Sequence, residues 1–466
     1  MTTTSPATAA LPRTAPAEVG VDAAGVAAFV DAVEAAPDLE LHSLMLLRHG
    51  KVLAEAWWAP YQRDDAPLLY SLSKSFTSTA FGFAVAKGRL GLDDRLVDHL
   101  PPTGPVGERT GRIRLRHLAA MATGHHEDAL DPAFRADPED PARGLLTLEP
   151  ESEPGSVFAY NNIATYALGT VVQQVTGQTL TDYLTPRLFE PLGITPGSWD
   201  QHPAGRDVGF TGFHLATEAI ARFGQLYLDG GRWDGKAVLP DGWAELATSL
   251  HTPNPAEPNP DWRQGYGFQF WHGRHGSVRG DGAFGQFCVL LREQDMVLVT
   301  TAGTENLQGI LDAAWTHLLP AVDRPGSAEA DAALRSRLEG LEVATDAAGL
   351  PPGQTTDGIV VTGLEASDEG WRLGLREGET VFADVLVGQH TWVRSVHPVG
   401  GGRAVEIAAR GRAGQDGRLT ADLVVVQSPH RLRVEVGSEP ADARVTWVTA
   451  PLSSGPVLAG LATPTA

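Results

Sequence analysis

The chain is short of two residue types that would otherwise open chemistry to it. It has one cysteine, Cys288, so no disulfide can close within it and no thiolate metal cluster can assemble. Lysine is nearly absent: Lys51, Lys74, Lys87 and Lys236 are all there are among 36 basic residues. The shortage goes with abundant Ala, Gly and Pro, as in a GC-rich coding sequence. It also makes a lysine inside a catalytic-looking motif less of an accident. Basic charge as a whole is outweighed by 57 acidic residues, leaving a net charge of -21 and a pI near 5.1. A surface this negative repels phosphate backbones and anionic headgroups, so neither nucleic acid nor a membrane is an expected partner. No apolar run approaches the roughly 20 residues that cross a bilayer. The start, Met1-Thr2-Thr3-Thr4-Ser5-Pro6, has neither the basic nor the apolar part of a standard signal, and a cytoplasmic location is expected.

What is present is enough for two or three structural units: 466 residues, 42% of them hydrophobic, with a mean hydropathy of -0.13. Residues 1–20 read as a flexible leader. Helical spacing follows from Asp22 to Ala35, then two strand-like runs across 41–58 joined at His49-Gly50. Residues 72–87 form a largely buried helix that stops at Gly88. Short helices and Pro/Gly-rich loops fill the next stretch. Strand character returns over 265–303, and 307–319 reads as a closing helix. Strands at both ends with helices between them predict an α/β domain over 21–322. A linker with a short helix covers 323–356. Residues 357–454 then give short alternating runs with no helix between them, the pattern of an antiparallel barrel or sandwich. Residues 455–466 form a small-residue tail.

Three motifs carry chemistry. In Tyr70-Ser71-Leu72-Ser73-Lys74, Ser71 and Lys74 share a face at the head of a helix. A serine hydroxyl becomes a nucleophile when a base takes its proton, and a lysine serves if desolvation or a nearby cation lowers its pKa. The plainer reading is a helix start with an exposed lysine. In Pro154-Gly155-Ser156-Val157-Phe158-Ala159-Tyr160-Asn161-Asn162, a turn presents Tyr160, with Asn162 two residues on. Tyr160 would exchange protons with Ser71 if cationic Lys74 lowered its phenol pKa, and Asn162 would hold Lys74 or a substrate amide. Ordinary turn chemistry also explains such an asparagine. The third is Arg279-Gly280-Asp281-Gly282-Ala283-Phe284-Gly285, whose glycines let a backbone approach a ligand.

In this order the motifs resemble the serine β-lactamase-related hydrolases: class C β-lactamases, family VIII esterases, D-alanyl-D-alanine carboxypeptidases and 6-aminohexanoate-dimer hydrolases. Framework segments 113–125, 183–194 and 217–240 are similar as well. The resemblance spans about residues 15–320. It implies a β-lactamase/transpeptidase-like antiparallel sheet with helices and a helical subdomain. Ser71 becomes the nucleophile, with Lys74 and Tyr160 moving its proton. Gly282 and the N–H of Ala283 form the oxyanion side, and Asn162 lends support. No cofactor or metal is implied, and the partner is a small ester or amide. The family's β-lactamases carry Lys-Thr-Gly where this chain has Gly280-Asp281-Gly282, and no lysine follows Lys236. This favours esters and small amides over β-lactams, with Arg279 or His275 as candidate substitutes for the lysine and Trp271 lining the pocket. The region after 357 resembles the lipocalin-like barrels appended to D-aminopeptidase-type relatives. His125-His126-Glu127-Asp128 could suggest a metal, but adjacent histidines seldom converge on one ion. Cys288, in an apolar run, is expected to be a small core residue.

Overall fold

A computed structural model of the chain describes residues 10–345, 354–356, 358–437, 439–452 and 457–464. They fall into two compact units. One holds the described residues up to Thr14, Met45–Leu53 and Leu69–Val299; the other holds Ala15–Leu44, Ala54–Leu68 and the described residues from Thr300 on. Within the second unit, Arg394 and Arg431 of the C-terminal strands reach Asp65 at 2.6 Å and Glu40 at 3.0 Å, in the segments 54–68 and 15–44.

The elements that frame the site begin with α1 (Ala23–Ala35), β1 (Leu41–Arg48) and β2 (Lys51–Trp57). The β1–β2 turn uses His49 and Gly50 at φ 51° and 71°, the left-handed pair a two-residue hairpin needs. Then come α2 (Ser73–Ala86), α3 (Leu115–Ala119), α4 (Asn162–Thr176) and α5 (Thr217–Leu228). The strands β3 (Trp271–His272), β4 (Val278–Gly282), β5 (Gln286–Leu291) and β6 (Met296–Ala302) follow. The six strands make one sheet in the order β2-β1-β6-β5-β4-β3, so both ends of the domain meet in it as expected. No helix among the described residues is long and apolar enough to cross a membrane.

Helix α2 is buried from Ser73 to Ala84 although it is rich in hydroxyls. Each hydroxyl has a partner. Ser75 donates to the Gln269 carbonyl at 2.8 Å, Thr77 to Gly209 at 2.7 Å, and Ser78 to Phe268 at 2.7 Å. These bonds offset the desolvation that would otherwise exclude such a helix from a core. Cys288 is 2% exposed against α5, and burial pushes its thiol up to about 12. Residues 265–270, expected as strand, form only isolated bridges, from Tyr266 to Thr252 and Trp271, and Gln269 has a φ of 65°.

In the second unit, α6 (Leu307–Ala313) and α7 (Ala328–Leu338) precede the C-terminal sheet. Its strands are β7 (Ile359–Ser367), β8 (Gly370–Glu377), β9 (Thr380–Gln389), β10 (Val393–Gly400), β11 (Arg403–Ala413), β12 (Leu419–Val425), β13 (Arg431–Val436) and β14 (Arg444–Thr449). They form a curled half-barrel rather than a sandwich. Its inner face packs Leu373, Phe382, Ile407, Leu423 and Val434. One pairing is not antiparallel: β9 runs parallel to β11, with Val387 opposite Ala409. The supposed loose ends are docked wherever they are described. Leu11 is 6% exposed and Arg13 pairs with Glu218 at 2.7 Å; residues 1–9 lie outside the described set. In the tail, the N–H groups of Val457, Leu458 and Ala459 all donate to the Glu377 carboxylate, and Thr463 pairs with Ala404.

Candidate active site

Ser71 lies in a single 3-10 turn, Tyr70–Leu72, that runs directly into α2. The residue before it, Tyr70, has φ 48°. A left-handed non-glycine residue beside a nucleophile is the kind of local strain that sites retain when surroundings over-determine it. Strand β4 presses against this turn. A Cβ on Gly282 would come within 2.1 Å of the Leu69 carbonyl oxygen, and one on Gly280 within 2.6 Å of the Ser75 hydroxyl. Both glycines are therefore required for the strand to lie this close.

Lys74 stands one helical turn after Ser71, 1% exposed, with Nζ 2.8 Å from Ser71 Oγ. Its other hydrogen bond goes to the Phe210 carbonyl at 2.9 Å. That carbonyl is held by its neighbours: Thr77 fixes Gly209, and the Phe213 N–H donates to Ser73 Oγ at 3.2 Å. No ion pair reaches Lys74 among the described residues. Burial lowers its pKa from 10.5 to about 7, opposed by the charges of Asp128 and Asp281. A lysine poised there is half neutral near physiological pH and has a lone pair for a serine proton.

Tyr160 places its ring 4.9 Å from Lys74 Nζ and stacks on Trp271 with centroids 5.4 Å apart. The expectation for its hydroxyl is reversed. Burial, then the Asp281 charge, drive the phenol pKa well upward, and only a hydrogen bond with Ser71 pulls it down. Lys74 is not among the groups that lower the Tyr160 pKa, so the expected acidification by its charge is not seen. A phenol held in its protonated form can donate a proton, and an amine whose pKa is lowered to about 7 can accept one.

Asn162 opens α4 but does not hold Lys74 by any hydrogen bond present. Its amide donates to Asp128 Oδ2 at 2.6 Å and its N–H to Asp128 Oδ1 at 2.9 Å. Arg279 and His275 are not free to replace the missing lysine. Arg279 is 0% exposed, with Nε 3.0 Å from Asp281 and Nη1 bonded to the Asp261 carbonyl. His275 is an exposed residue in the β3–β4 turn, at the opposite end of β4 from Gly282. Trp271 stacks on Tyr160. Ala283 begins the turn after β4, between Gly282 and Phe284.

Sequence reading missed three contributors: Asp128, the Phe210 carbonyl and Gln269. The Gln269 side chain joins two elements, accepting from Thr165 of α4 at 2.8 Å and donating to the Leu118 and Ala119 carbonyls of α3. Its backbone carbonyl takes Ser75 of α2. A lone Gln in a Phe-rich run gave no signal of this. The two histidines beside Asp128 do not share a partner: His125 contacts Thr123, and His126 contacts Ser152.

A half-buried serine in contact with a buried lysine at the head of a helix, flanked by an antiparallel sheet, fits a β-lactamase-like serine hydrolase fold. The family model described as Beta-lactamase matches residues 26–321, and the chain belongs to that family. Among curated relatives, the 6-aminohexanoate-dimer hydrolase of Paenarthrobacter ureafaciens is 28% identical over 243 residues, covering 45% of this chain and 59% of its own length. A protein named as a putative D-alanyl-D-alanine carboxypeptidase of Escherichia coli K12 is 27% identical over 187 residues, covering 33% and 42%. The chain thus spans less than two thirds of either relative. The solved structure titled "EstCE1, a hydrolase with promiscuous acyltransferase activity" superimposes with a TM-score of 0.53 at 20% identity, over 63% of this chain and 99% of that one. That last likeness is one of fold.

Proposed function

We propose that the protein hydrolyses a small ester or amide through an acyl-enzyme on Ser71. The observation that carries this is the 2.8 Å contact between Ser71 Oγ and a lysine whose pKa burial has brought to about 7. Neutral Lys74 takes the Ser71 proton as Oγ attacks the carbonyl carbon, and the resulting oxyanion sits against the N–H groups of Ser71 and Ala283. The Tyr160 phenol protonates the leaving group and is reprotonated by the Lys74 ammonium. Water then attacks the acyl-enzyme by the same route and releases the acid. No metal or organic cofactor enters any step.

Esters and small amides are favoured over β-lactams and D-alanyl peptides. Those substrates carry a carboxylate, and the cation next to the site, Arg279, is occupied by Asp281. β-Lactamase or D-Ala-D-Ala carboxypeptidase activity is the second reading, favoured by the curated carboxypeptidase relative. A binding role without catalysis is disfavoured by the intact Ser71–Lys74 contact. A fluorophosphonate probe is expected to label the protein, and Ser71→Ala to abolish labelling. Wild-type protein that stays unlabelled and inert on p-nitrophenyl acetate would overturn the proposal. A panel of esters, small linear amides, D-alanyl anilides and nitrocefin then separates the substrate classes.

A further inference from the structure

Asp128 belongs to a histidine-rich stretch that the reaction as written leaves unused, yet it is tied to the site more closely than any other exposed carboxylate. Residues 121–129 run beside 159–162, the segment bearing Tyr160. The Ala159 N–H donates to the Met121 carbonyl at 3.1 Å, and the Ala129 N–H donates to Asn161 Oδ1 at 3.2 Å. Asp128 closes this ladder. Its Oδ1 accepts from the N–H groups of Asn162 and Leu130 at 2.9 and 3.1 Å, and its Oδ2 accepts from the Asn162 side chain at 2.6 Å.

We propose that Asp128 is a positioning residue of this site, anchoring Asn162 at the head of α4 and holding a negative charge toward Lys74. Charge balance supports this. The groups facing Lys74 are its own neighbour Ser71, the neutral Phe210 carbonyl and Tyr160, the Asp281–Arg279 pair of β4, and Asp128. Asp281 is balanced by Arg279 at 3.0 Å, whereas Asp128 has no ion-pair partner among the described residues. Asp128 is thus the unneutralised carboxylate among them, and its field favours the ammonium form of Lys74. Burial alone would lower the proton affinity of Lys74 further. Asp128 limits that fall and keeps the base strong enough to take a serine proton near neutral pH.

The proposal rests on the reading of Lys74 as the base, but its test does not need turnover. With four lysines in the chain, 13Cε-lysine labelling gives four resonances, assigned by replacing exposed Lys51, Lys87 and Lys236 with arginine one at a time. The titration midpoint of Lys74 is then read in wild type, Asp128→Asn and Asp128→Ala. Asp128→Asn keeps the oxygen that accepts two N–H groups and removes the charge, so the Lys74 midpoint is expected to fall by about half a pH unit. The acid limb of kcat/KM should move down with it. Asp128→Ala should show the same displacement and a further loss of rate at every pH, because the backbone N–H groups of Asn162 and Leu130 lose the oxygen that Asp128→Asn keeps. Glu127→Gln, on the adjacent exposed carboxylate, should move nothing. An Asp128→Asn midpoint that coincides with wild type, or an equal displacement in Glu127→Gln, overturns the proposal. Failure of the hydrolase reading is seen separately, as absent fluorophosphonate labelling in wild type.

Discussion

Lys74 in one compact unit and Arg431 in the other are cations with almost no exposure, 1% and 0%. Their surroundings differ in kind. Arg431 faces the Glu40 carboxylate at 3.0 Å and donates to the Ala344 carbonyl at 2.7 Å. Burial would raise the Glu40 pKa, but Arg431 and His42 outweigh it and hold the carboxyl below its ordinary range. The pair therefore stays ionic. Lys74 is surrounded by a hydroxyl, a carbonyl and an aromatic ring, none of which can stabilise a full charge as a carboxylate does. Desolvation wins there, and the amine moves toward neutrality. The same burial thus leaves one cation as a structural tie and gives the other the lowered proton affinity that the base proposed here needs. The deciding variable is whether a counter-charge is in contact. A guanidinium could not have played the second part, because it does not give up its proton in proteins.

Two substitutions test this contrast directly. Lys74→Arg keeps size and charge but removes the capacity to deprotonate. It is expected to cost roughly a thousandfold in the rate of Ser71 labelling and in hydrolysis. The loss should persist at every pH, whereas wild-type activity rises through about pH 7 as Lys74 loses its proton. A Lys74→Arg enzyme with a near-normal rate would show that the base is another group. Arg431→Met leaves Glu40 with His42 as its remaining partner and should destabilise the folded protein by about 3 kcal/mol, the low end for breaking a buried pair, measured by urea unfolding. Combining it with Glu40→Gln should recover most of that loss, since removing both charges spares the desolvation of each. Equal loss in the single and double variants would mean that Arg431 acts by packing.

What the sequence revealed and what it hid divide along the same physical line. Ser71 and Lys74 are three residues apart where a 3-10 turn runs into α2, and Tyr160 follows a Pro-Gly turn, so each motif is visible locally, although their expected roles came from the resemblance that the motifs carry together. The β1–β2 hairpin, α2 and most strands of the half-barrel were legible from periodicity and turn residues. The strand Val393–Gly400 was not anticipated, because Pro398 and an exposed face obscure its alternation. The parallel contact of β9 with β11 has no local signature at all. Asp128, Phe210 and Gln269 act through partners far away in the chain, a separation of 194 residues between Gln269 and Ser75, and only the fold brings these together. The tail and residues 10–20 looked loose because their composition is small and polar. Their anchors are single side chains, Glu377 and Glu218, whose pairing the sequence does not announce.

Glu218 offers an intermediate case and the smallest expected effect. Its carboxylate accepts from Arg13, the Leu11 N–H and Arg222 at 2.7, 3.0 and 2.9 Å. Burial raises its pKa, but these three donors prevail and bring it from 4.5 to about 2. A carboxyl lowered in the folded state contributes stability that is fully present above about pH 4.5 and is lost as pH falls through about 2. Arg13 is 32% exposed, so water screens part of the attraction, and Glu218→Gln should cost about 1 kcal/mol at pH 7. The difference between wild type and variant should shrink on going from pH 5 toward pH 2. Urea midpoints for the two proteins at pH 7 and pH 3 give that difference directly. If it is the same at both, the group acts by shape and not by charge, and counter-charge would have to be dropped as the variable separating the half-buried case from the two buried ones.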